Sequence, residues 1–552
     1  MTKAFTTVTL FTLLLLAASA FAQGDGKYYN KYWVHFADKQ DNGYSIENPS
    51  DYLSPRALER REKFGIVIDS TDLPITEAYI EQIKLAGGIV LHRSKWFNAI
   101  SVEVDDSNEV NAIRELPFVI QMQPVAATKI QCFQGESDGP ESRKSEVRSV
   151  AYGQSTTQTT MVKGHYLHEL GYKGEGMYIA VLDAGFERVD QISAFDSLRH
   201  HNRILGTYDF VRVQENVYDL GSHGRNVFSI MAGNLPNEFL GSAPNASYFL
   251  FRTEEGATEY KIEEDNWVAA VERADSLGVD LVNTSLGYTD YDDPTMSYTY
   301  SDMTGRVARI SISATIAARK GMIIVSSAGN MGNSSWRYIS APGDADSILT
   351  IGAVNGSGSF ARFSSYGPTA DGRVKPDIVG MGQGTSYIGV SGTVEQGNGT
   401  SYSAPLLAGF VACLWQSNPT LQPQRLIQLV RESASSFSNP TDSIGYGIPD
   451  FQKAHYEMLK SQNPVYGNMM PVVYPNPFVD KVDIVLNAEI TGNYKLEMVD
   501  LMGSRVYTED RNVSVASYQT YTLTDLGRLA SGLYVVRITY PAGTIKLKIL
   551  KY

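Results

Sequence analysis

Three successive patterns of apolar and polar positions divide the chain. Between about residues 32 and 124 the spacing predicts strand 32–36, helix 77–85, strand 88–91, strand 99–104, helix 108–116 and strand 119–122, the order of a split β-α-β-β-α-β unit. The polar run from Gln134 to Lys144 has no apolar periodicity and reads as an exposed linker open to proteolysis. From Tyr152 to about Leu459, apolar runs at 177–182, 248–251, 281–282, 322–325 and 348–351 alternate with helical spacing at 262–277 and 307–318. Near-continuous apolar strands alternating with helices predict a parallel sheet covered on both faces. After Pro464 the period drops to two. Val482/Ile484, Leu496/Met498 and Ile545/Leu547/Ile549, the last interleaved with Lys546 and Lys548, predict a small all-β sandwich.

Composition narrows this picture. The 552 residues suffice for three or four domains at roughly 100–200 residues each, and 43% hydrophobic residues with 33 Tyr exclude wholesale disorder. A formal charge of −13 repels phosphate backbones and anionic membrane surfaces, so no nucleic-acid partner is expected. Cys132 and Cys413 are the only cysteines, which excludes a disulfide framework and a cysteine zinc site. Lys3, the apolar run from Val8 to Ala18 and Ala20-Phe21-Ala22 have the form of an export signal cut before Gln23. No later stretch approaches the ~18 uninterrupted apolar residues of a membrane span.

Functional groups of an open parallel sheet gather where its strands end. The run 177–182 ends in Asp183-Ala184-Gly185; alone, such an Asp reads more often as a turn cap than as a functional carboxylate. His223 stands between Gly221 and Gly224 ahead of an apolar helical run. Ser401 lies in Gly399-Thr400-Ser401-Tyr402-Ser403-Ala404-Pro405, with Pro405 suited to a first helical turn, so that Ser401 and its N–H occupy the positive end of a helix. The strand 322–325 runs into Ala328-Gly329-Asn330. Nucleophile, base, orienting acid and an oxyanion donor are the parts of an acyl-transfer site. Two other motifs fail on context. Gly135-Glu136-Ser137-Asp138-Gly139 fits a nucleophile elbow literally but sits in polar linker. His165 and His168 at helical i,i+3 spacing lack a third ligand and read as a helix-surface pair.

The order Asp183, His223, Asn330, Ser401, with Ile179-Ala180-Val181-Leu182-Asp183, Ser222-His223-Gly224 and Gly399 to Pro405, resembles the catalytic domain of subtilisin-like serine proteases. The resemblance extends to Gly241-Ser242-Ala243-Pro244-Asn245-Ala246. It implies that Ser285, Leu286 and Gly287 pair with substrate backbone, and that Ala328 and Gly329 wall the primary specificity pocket beside Asn330, the oxyanion amide. Arg225 and Asn226 depart from the family, which usually has a small hydroxyl residue after the His-Gly pair. The preceding ferredoxin-like unit resembles the inhibitory propeptide of subtilases. Tyr474-Pro475-Asn476-Pro477-Phe478, Asp500 to Val506 and Ser531 to Arg537 are similar to the sorting domain of proteins exported by the type IX secretion system of Gram-negative bacteria.

Taken together, the expected organisation is an export signal at 1–22, a propeptide at 23–130, a linker at 131–151, a subtilisin-like α/β peptidase domain at 152–460, a linker at 461–472 and a β-sandwich sorting domain at 473–552. The expected activity is that of a secreted or surface serine endopeptidase made as a zymogen. Its partners are peptide substrates, its own propeptide and the outer-membrane secretion machinery, with no cofactor and no metal site read from the sequence. Two alternatives stand beside it: a catalytically silent surface binding protein of the same fold, and a protease that only processes partner proteins.

Overall fold

The computed structural model describes residues 29–127, 152–462, 471–474, 476–486, 492–513, 519–541 and 543–552. The expected export signal, the 131–151 linker with Cys132 and the Gly135-to-Gly139 motif, and most of the 461–472 linker lie outside these residues.

In the N-terminal unit, strands Ile89–Ser94, Ala99–Glu103, Tyr29–Phe36 and Val119–Ala127 lie side by side in that order, all antiparallel. Successive strand residues face opposite ways. Val34 and Phe36 therefore pack with Ile100 and Val102 under the helices Glu77–Leu85 and Ser107–Arg114. Trp33, Ala99 and Val125 point the other way, onto Trp267, Val271 and Ile310 of the central domain. One helix was not predicted, Pro55–Phe64, between the first strand and the first expected helix.

The central domain holds an eight-stranded sheet in the order Val394–Asn398, Ile378–Ile388, Leu349–Asn355, Ile323–Ser327, Leu281–Thr284, Tyr178–Asp183, Ser247–Arg252 and Ile204–Asp209. All neighbours are parallel except Val394–Asn398, which runs antiparallel to Ile378–Ile388. Residues alternate between two cores. Ile179, Val181, Ile323 and Val325 meet helices Ser222–Ala232 and Thr400–Ser417 on one face. Ala180, Leu182 and Ile324 meet Ile262–Leu277 and Arg309–Arg319 on the other. Burial on both faces is why these strands read as unbroken apolar runs.

The C-terminal module stacks a three-stranded sheet (Val472–Tyr474, Val482–Leu486, Gln519–Leu523) on a four-stranded one (Arg505–Val513, Gly492–Asp500, Gly532–Tyr540, Gly543–Lys551), both antiparallel. Phe478, Ile484, Met498, Val536 and Ile549 fill the space between them. The module abuts the last helix of the central domain, Phe451–Gln462, where Tyr456 and Leu459 pack on Val472 and Val485. The His455 ring lies edge-on to Tyr474 at 5.2 Å. Among the described residues no helix is long and apolar enough to cross a membrane.

Candidate active site

All the expected site residues fall along the carboxyl edge of the parallel sheet. Asp183 is the last residue of strand Tyr178–Asp183 and is fully buried. Its Oδ1 accepts from His223 Nδ1 at 2.7 Å and from the Ala184 N–H at 2.8 Å, while Oδ2 has no hydrogen-bond partner among the described residues. His223 is in the first turn of helix Ser222–Ala232. The two turns meet so closely that glycine is required. A Cβ on Gly224 would lie 2.2 Å from the Gly185 carbonyl, and Gly185 itself has a φ of +128° with the Leu220 carbonyl 2.3 Å from a Cβ position.

Partial burial lowers the tendency of the His223 ring to hold a proton, but the charge of Asp183 and its hydrogen bond outweigh this and raise the pKa above the ordinary histidine value. The ring is also stacked beside Tyr402, with centroids 6.4 Å apart, and Tyr402 in turn stacks on Tyr387 at 5.1 Å.

Ser401 opens the 18-residue helix Thr400–Ser417, buried almost all round as its continuous apolar sequence demands. Pro405 has no N–H for the Ser401 carbonyl, its partner in an unbroken helix. That carbonyl instead accepts from Ser285 Oγ at 3.0 Å, and Ser401 Oγ returns a bond to the Ser285 carbonyl at 3.2 Å. Ser401 thus donates to Ser285 and not to His223. Rotation about the serine Cα–Cβ bond would turn its hydroxyl from Ser285 to another acceptor.

Asn330 follows strand Ile323–Ser327. Its Oδ1 accepts from the Thr400 N–H at 2.8 Å and from Thr400 Oγ1 at 2.9 Å, which fixes the amide and leaves Nδ2 as a donor. Gly329, with a φ of +100°, is bonded through its N–H to Thr400 Oγ1 at 3.2 Å. Ser285, Leu286 and Gly287 follow strand Leu281–Thr284, and a Cβ on Gly287 would strike Ser340 Oγ at 2.2 Å. Ala328 is fully buried, and Ser327 Oγ donates to the Leu286 carbonyl at 3.3 Å, which ties the segments 285–287 and 328–330 together beside Ser401.

Three features escaped the sequence reading. Arg252 ends strand Ser247–Arg252, pairs with buried Asp209 at 2.9 Å and donates to the Ala184 carbonyl at 3.2 Å, bracing the turn after Asp183. Its signal was a charge at the end of an apolar run, the cue used for Asp183. Glu254 accepts from Tyr288 Oη and Thr253 Oγ1, and burial with the neighbouring Glu259 and Asp183 charges pushes its carboxyl up to about 8. Arg225, at 3% exposure, pairs with the partly exposed Glu187 at 3.0 Å, so the departure after His223-Gly224 is filled by a buried arginine in a half-buried ion pair. One reading is corrected. His168 is not on a helix surface: it is 6% exposed, with Nδ1 bonded to Tyr152 Oη and Nε2 to the Ser242 carbonyl, because its helix Gly164–Glu169 lies against Phe410. Among the described residues no group of three or more His, Cys, Asp or Glu is placed to hold a metal ion.

Residues 174–447 match the Subtilase family. The central domain belongs to that family. It is the domain of a serine endopeptidase. Residues 31–141 match the Peptidase S8 propeptide domain of Bacteroidota, and residues 472–552 match the Secretion system C-terminal sorting domain. The chain is 28% identical to Subtilisin-like protease SBT6.1 of Arabidopsis thaliana over 325 residues, 56% of this chain and 28% of the plant protein. It is also 28% identical to Subtilisin NAT of Bacillus subtilis subsp. natto over 313 residues, 56% of this chain and 71% of that subtilisin. A crystal structure of MycP1 from Mycobacterium smegmatis superimposes with a TM-score of 0.42 at 20% identity, covering 58% of this chain and 92% of that one. The subtilase carries a propeptide in front and a sorting domain behind, the layout of a secreted zymogen.

Proposed function

We propose that Asp183, His223 and Ser401 form the catalytic triad of this subtilase and that Asn330 with the Ser401 N–H holds the oxyanion. The observation that carries this reading is the 2.7 Å bond from His223 Nδ1 to buried Asp183 Oδ1, at the sheet edge where Ser401 opens its helix. That bond fixes the tautomer in which Nε2 is free to act as base. Ser401 Oγ attacks the substrate carbonyl carbon as its proton passes to His223 Nε2. The tetrahedral oxyanion is held by Asn330 Nδ2 and the Ser401 N–H at the positive end of the helix. The C–N bond then breaks, His223 gives its proton to the leaving amine, and water repeats the sequence on the acyl-enzyme. Substrate backbone lies as an added strand between 285–287 and 328–330.

The N-terminal unit keeps this site closed until its tail is cut. Support comes from strand Val119–Ala127, whose last two residues line a cavity of about 170 Å³ with Phe210 and with Glu255 and Tyr260 of the loop that carries Glu254. The chain is exported through the periplasm of a Gram-negative bacterium and sorted across the outer membrane by its C-terminal module. In a purified refolding system, wild type is expected to cut itself between Val125 and Tyr152, whereas Ser401→Ala stays full length. Loss of the N-terminal unit from Ser401→Ala at the wild-type rate would exclude Ser401 as the nucleophile.

A further inference from the structure

We infer that helix Pro55–Phe64 is a second docking element of the propeptide, an arginine clamp on the amino edge of the protease sheet, remote from the cleft. The inference rests on the inhibitory reading of the N-terminal unit and adds to it the residues that decide how long the cut propeptide stays bound.

The helix is an insertion in the split β-α-β-β-α-β unit, begun by Ser54, whose Oγ accepts from the Ala57 N–H, and ended by Gly65 at a φ of +64°. Its buried residues are Ala57, Arg60, Arg61 and Phe64, spaced as one helical face. The Arg60 side chain donates to Asp275 Oδ1 at 2.6 Å, to the Asp275 carbonyl at 2.9 Å, to the Lys320 carbonyl at 3.2 Å and to the Val279 carbonyl. Arg56 donates to Asp280 Oδ2 at 2.5 Å, to the Gly176 carbonyl at 2.7 Å and to the Gly278 carbonyl at 3.1 Å, with its guanidinium 3.8 Å above the Tyr178 ring. Arg61 Nη2 bridges Asp72 of its own unit at 3.0 Å and Asp275 at 2.9 Å. Lys95, on the hairpin before Ala99–Glu103, adds a third cation on Asp275 at 3.1 Å. The pairing is reciprocal, because Lys320 of the protease reaches back to Asp72 of the propeptide at 2.7 Å.

Apart from Asp275, in the last turn of helix Ile262–Leu277, these protease groups lie at or just before the start of a central strand. Gly176 precedes Tyr178–Asp183, Asp280 precedes Leu281–Thr284 and Lys320 precedes Ile323–Ser327. The reacting groups lie at the other ends of the same strands, about 20 Å away for a six-residue strand. The fit is close as well as charged. A Cβ on Gly278, φ +80°, would sit 2.7 Å from the Ala57 N–H nitrogen, one on Gly321 would sit 2.7 Å from Ile66, and Phe64 stacks on Trp415 at 6.0 Å.

Two consequences separate this clamp from the fold of the propeptide itself. Every hydrogen bond given above for the Arg56 and Arg60 side chains goes to the protease, so their removal reports docking rather than the integrity of the N-terminal unit. In addition, hydrolysis of the tail removes only the covalent tether. A unit held at two distant places on one rigid sheet stays bound after the cut, since each contact keeps the other at high effective concentration. Losing one partner of a buried, hydrogen-bonded charge pair acts mainly on dissociation.

The full chain is refolded in a purified system, with cleavage followed on gels and peptidase activity followed in parallel. Arg60→Ala is expected to be cut at the wild-type rate but to shorten the interval between cleavage and full activity at least tenfold. Arg56→Ala, at the rim, is expected to shorten it about threefold, and Arg60→Lys to lie between Arg60→Ala and wild type. Lys84→Ala, in an exposed pair with Glu81 on the far side of the unit, serves as the unaffected control. On gel filtration the cut wild-type pair travels together and the Arg60→Ala pair separates. Should Arg60→Ala fail to mature, Arg56→Ala decides the matter. Normal cleavage with an unchanged interval in Arg56→Ala and in every maturing variant overturns the clamp alone. Wild-type activity that appears at the moment of cleavage overturns the inhibitory reading beneath it.

Discussion

Replacing Asp183 by Asn removes a charge from the site while keeping its shape, and the structure sets the size of the loss. Asp183 Oδ1 is held by the Ala184 N–H at 2.8 Å as well as by His223 at 2.7 Å. The Asn side chain therefore keeps its oxygen there and places its NH₂ where Oδ2 now has no partner. The Nδ1–H tautomer of His223 survives and the loss is electrostatic. Opposite charges ~4 Å apart interact by about 4 kcal/mol at an effective dielectric constant of about 20. At 1.36 kcal/mol per decade that is roughly 10³ in kcat. The His223 side chain is 38% exposed, and solvent screening brings the expectation to roughly 10²–10³. A flipped amide would instead impose the wrong tautomer, for which a serine protease loses about 10⁴. The sign for pH follows from the same pair. Activity requires neutral His223, and Asp183 raises its pKa, so the acid limb of the rate profile moves to lower pH in Asp183→Asn. The assay is hydrolysis of a peptide nitroanilide from pH 5 to 9, with variant matured by added wild-type enzyme that is then removed. A turnover within threefold of wild type with an unmoved acid limb would refute Asp183 as the charge partner of His223.

Asn330→Ala is expected to leave KM nearly unchanged and lower kcat by roughly 10²–10³, the size found for an oxyanion amide of subtilisin itself; steady-state kinetics on matured enzyme check it. Deleting residues 471–552 bares Tyr456 and Leu459 but no group of the site, so turnover should stay within twofold while the protein remains in the periplasm; cell fractionation with an activity assay decides. Docking of the propeptide should weaken with rising pH and show no acid trigger. Burial pulls His35 and His92 down to about 4 and pushes Asp265 and Glu272 up to about 7, all at this interface. Near pH 5 the two protons the histidines release on docking balance the two the carboxyls take up, whereas as pH rises from about 6 to 8 the histidine release fades ahead of the carboxyl uptake, so docking becomes a net uptake of protons and weakens. The interval between cleavage and activity should accordingly be longest at pH 5–6 and shorten toward pH 8, and a shorter interval at pH 5 than at pH 6 would contradict this.

The candidate site was legible because each of its groups sits beside a glycine where an apolar run stops, as at Asp183-Ala184-Gly185 and Gly329-Asn330, or starts, as at His223-Gly224 and Gly399-Thr400-Ser401. What braces the site was not. Arg252 and Asp209 meet from two neighbouring strands, and Tyr387 of a strand reaches Tyr402 of the Ser401 helix, contacts that no local spacing announces. Strand Ile378–Ile388 was missed because Gly380, Gly382 and Gly384 dilute its apolar signal. The first two are small for a reason: a Cβ on Gly382 would meet Ala353 at 2.6 Å, and one on Gly380 would meet Leu407 of the Ser401 helix at 3.2 Å. Helix Pro55–Phe64 escaped for the opposite reason. Half of its buried face is arginine, so the helical period is present but carried by charges, of which Arg60 is satisfied by the protease and Arg61 by the protease together with Asp72.

The clamp also bears on the order in which the chain comes into being. Phe64 leaves the ribosome 351 residues ahead of Trp415, on which it stacks, and at roughly 5–20 residues per second this is a wait of about 20–70 s. Throughout that wait the N-terminal sheet can close over its own two helices, which are local, while the inserted helix has Asp72 but lacks its partners on the protease. An apolar docking face left bare for so long would invite clumping of half-made chains. A face built around Arg56, Arg60 and Arg61 stays hydrated until Asp275, Asp280 and Lys320 arrive, so the nascent protein carries its longest-range recognition surface in a form that water tolerates.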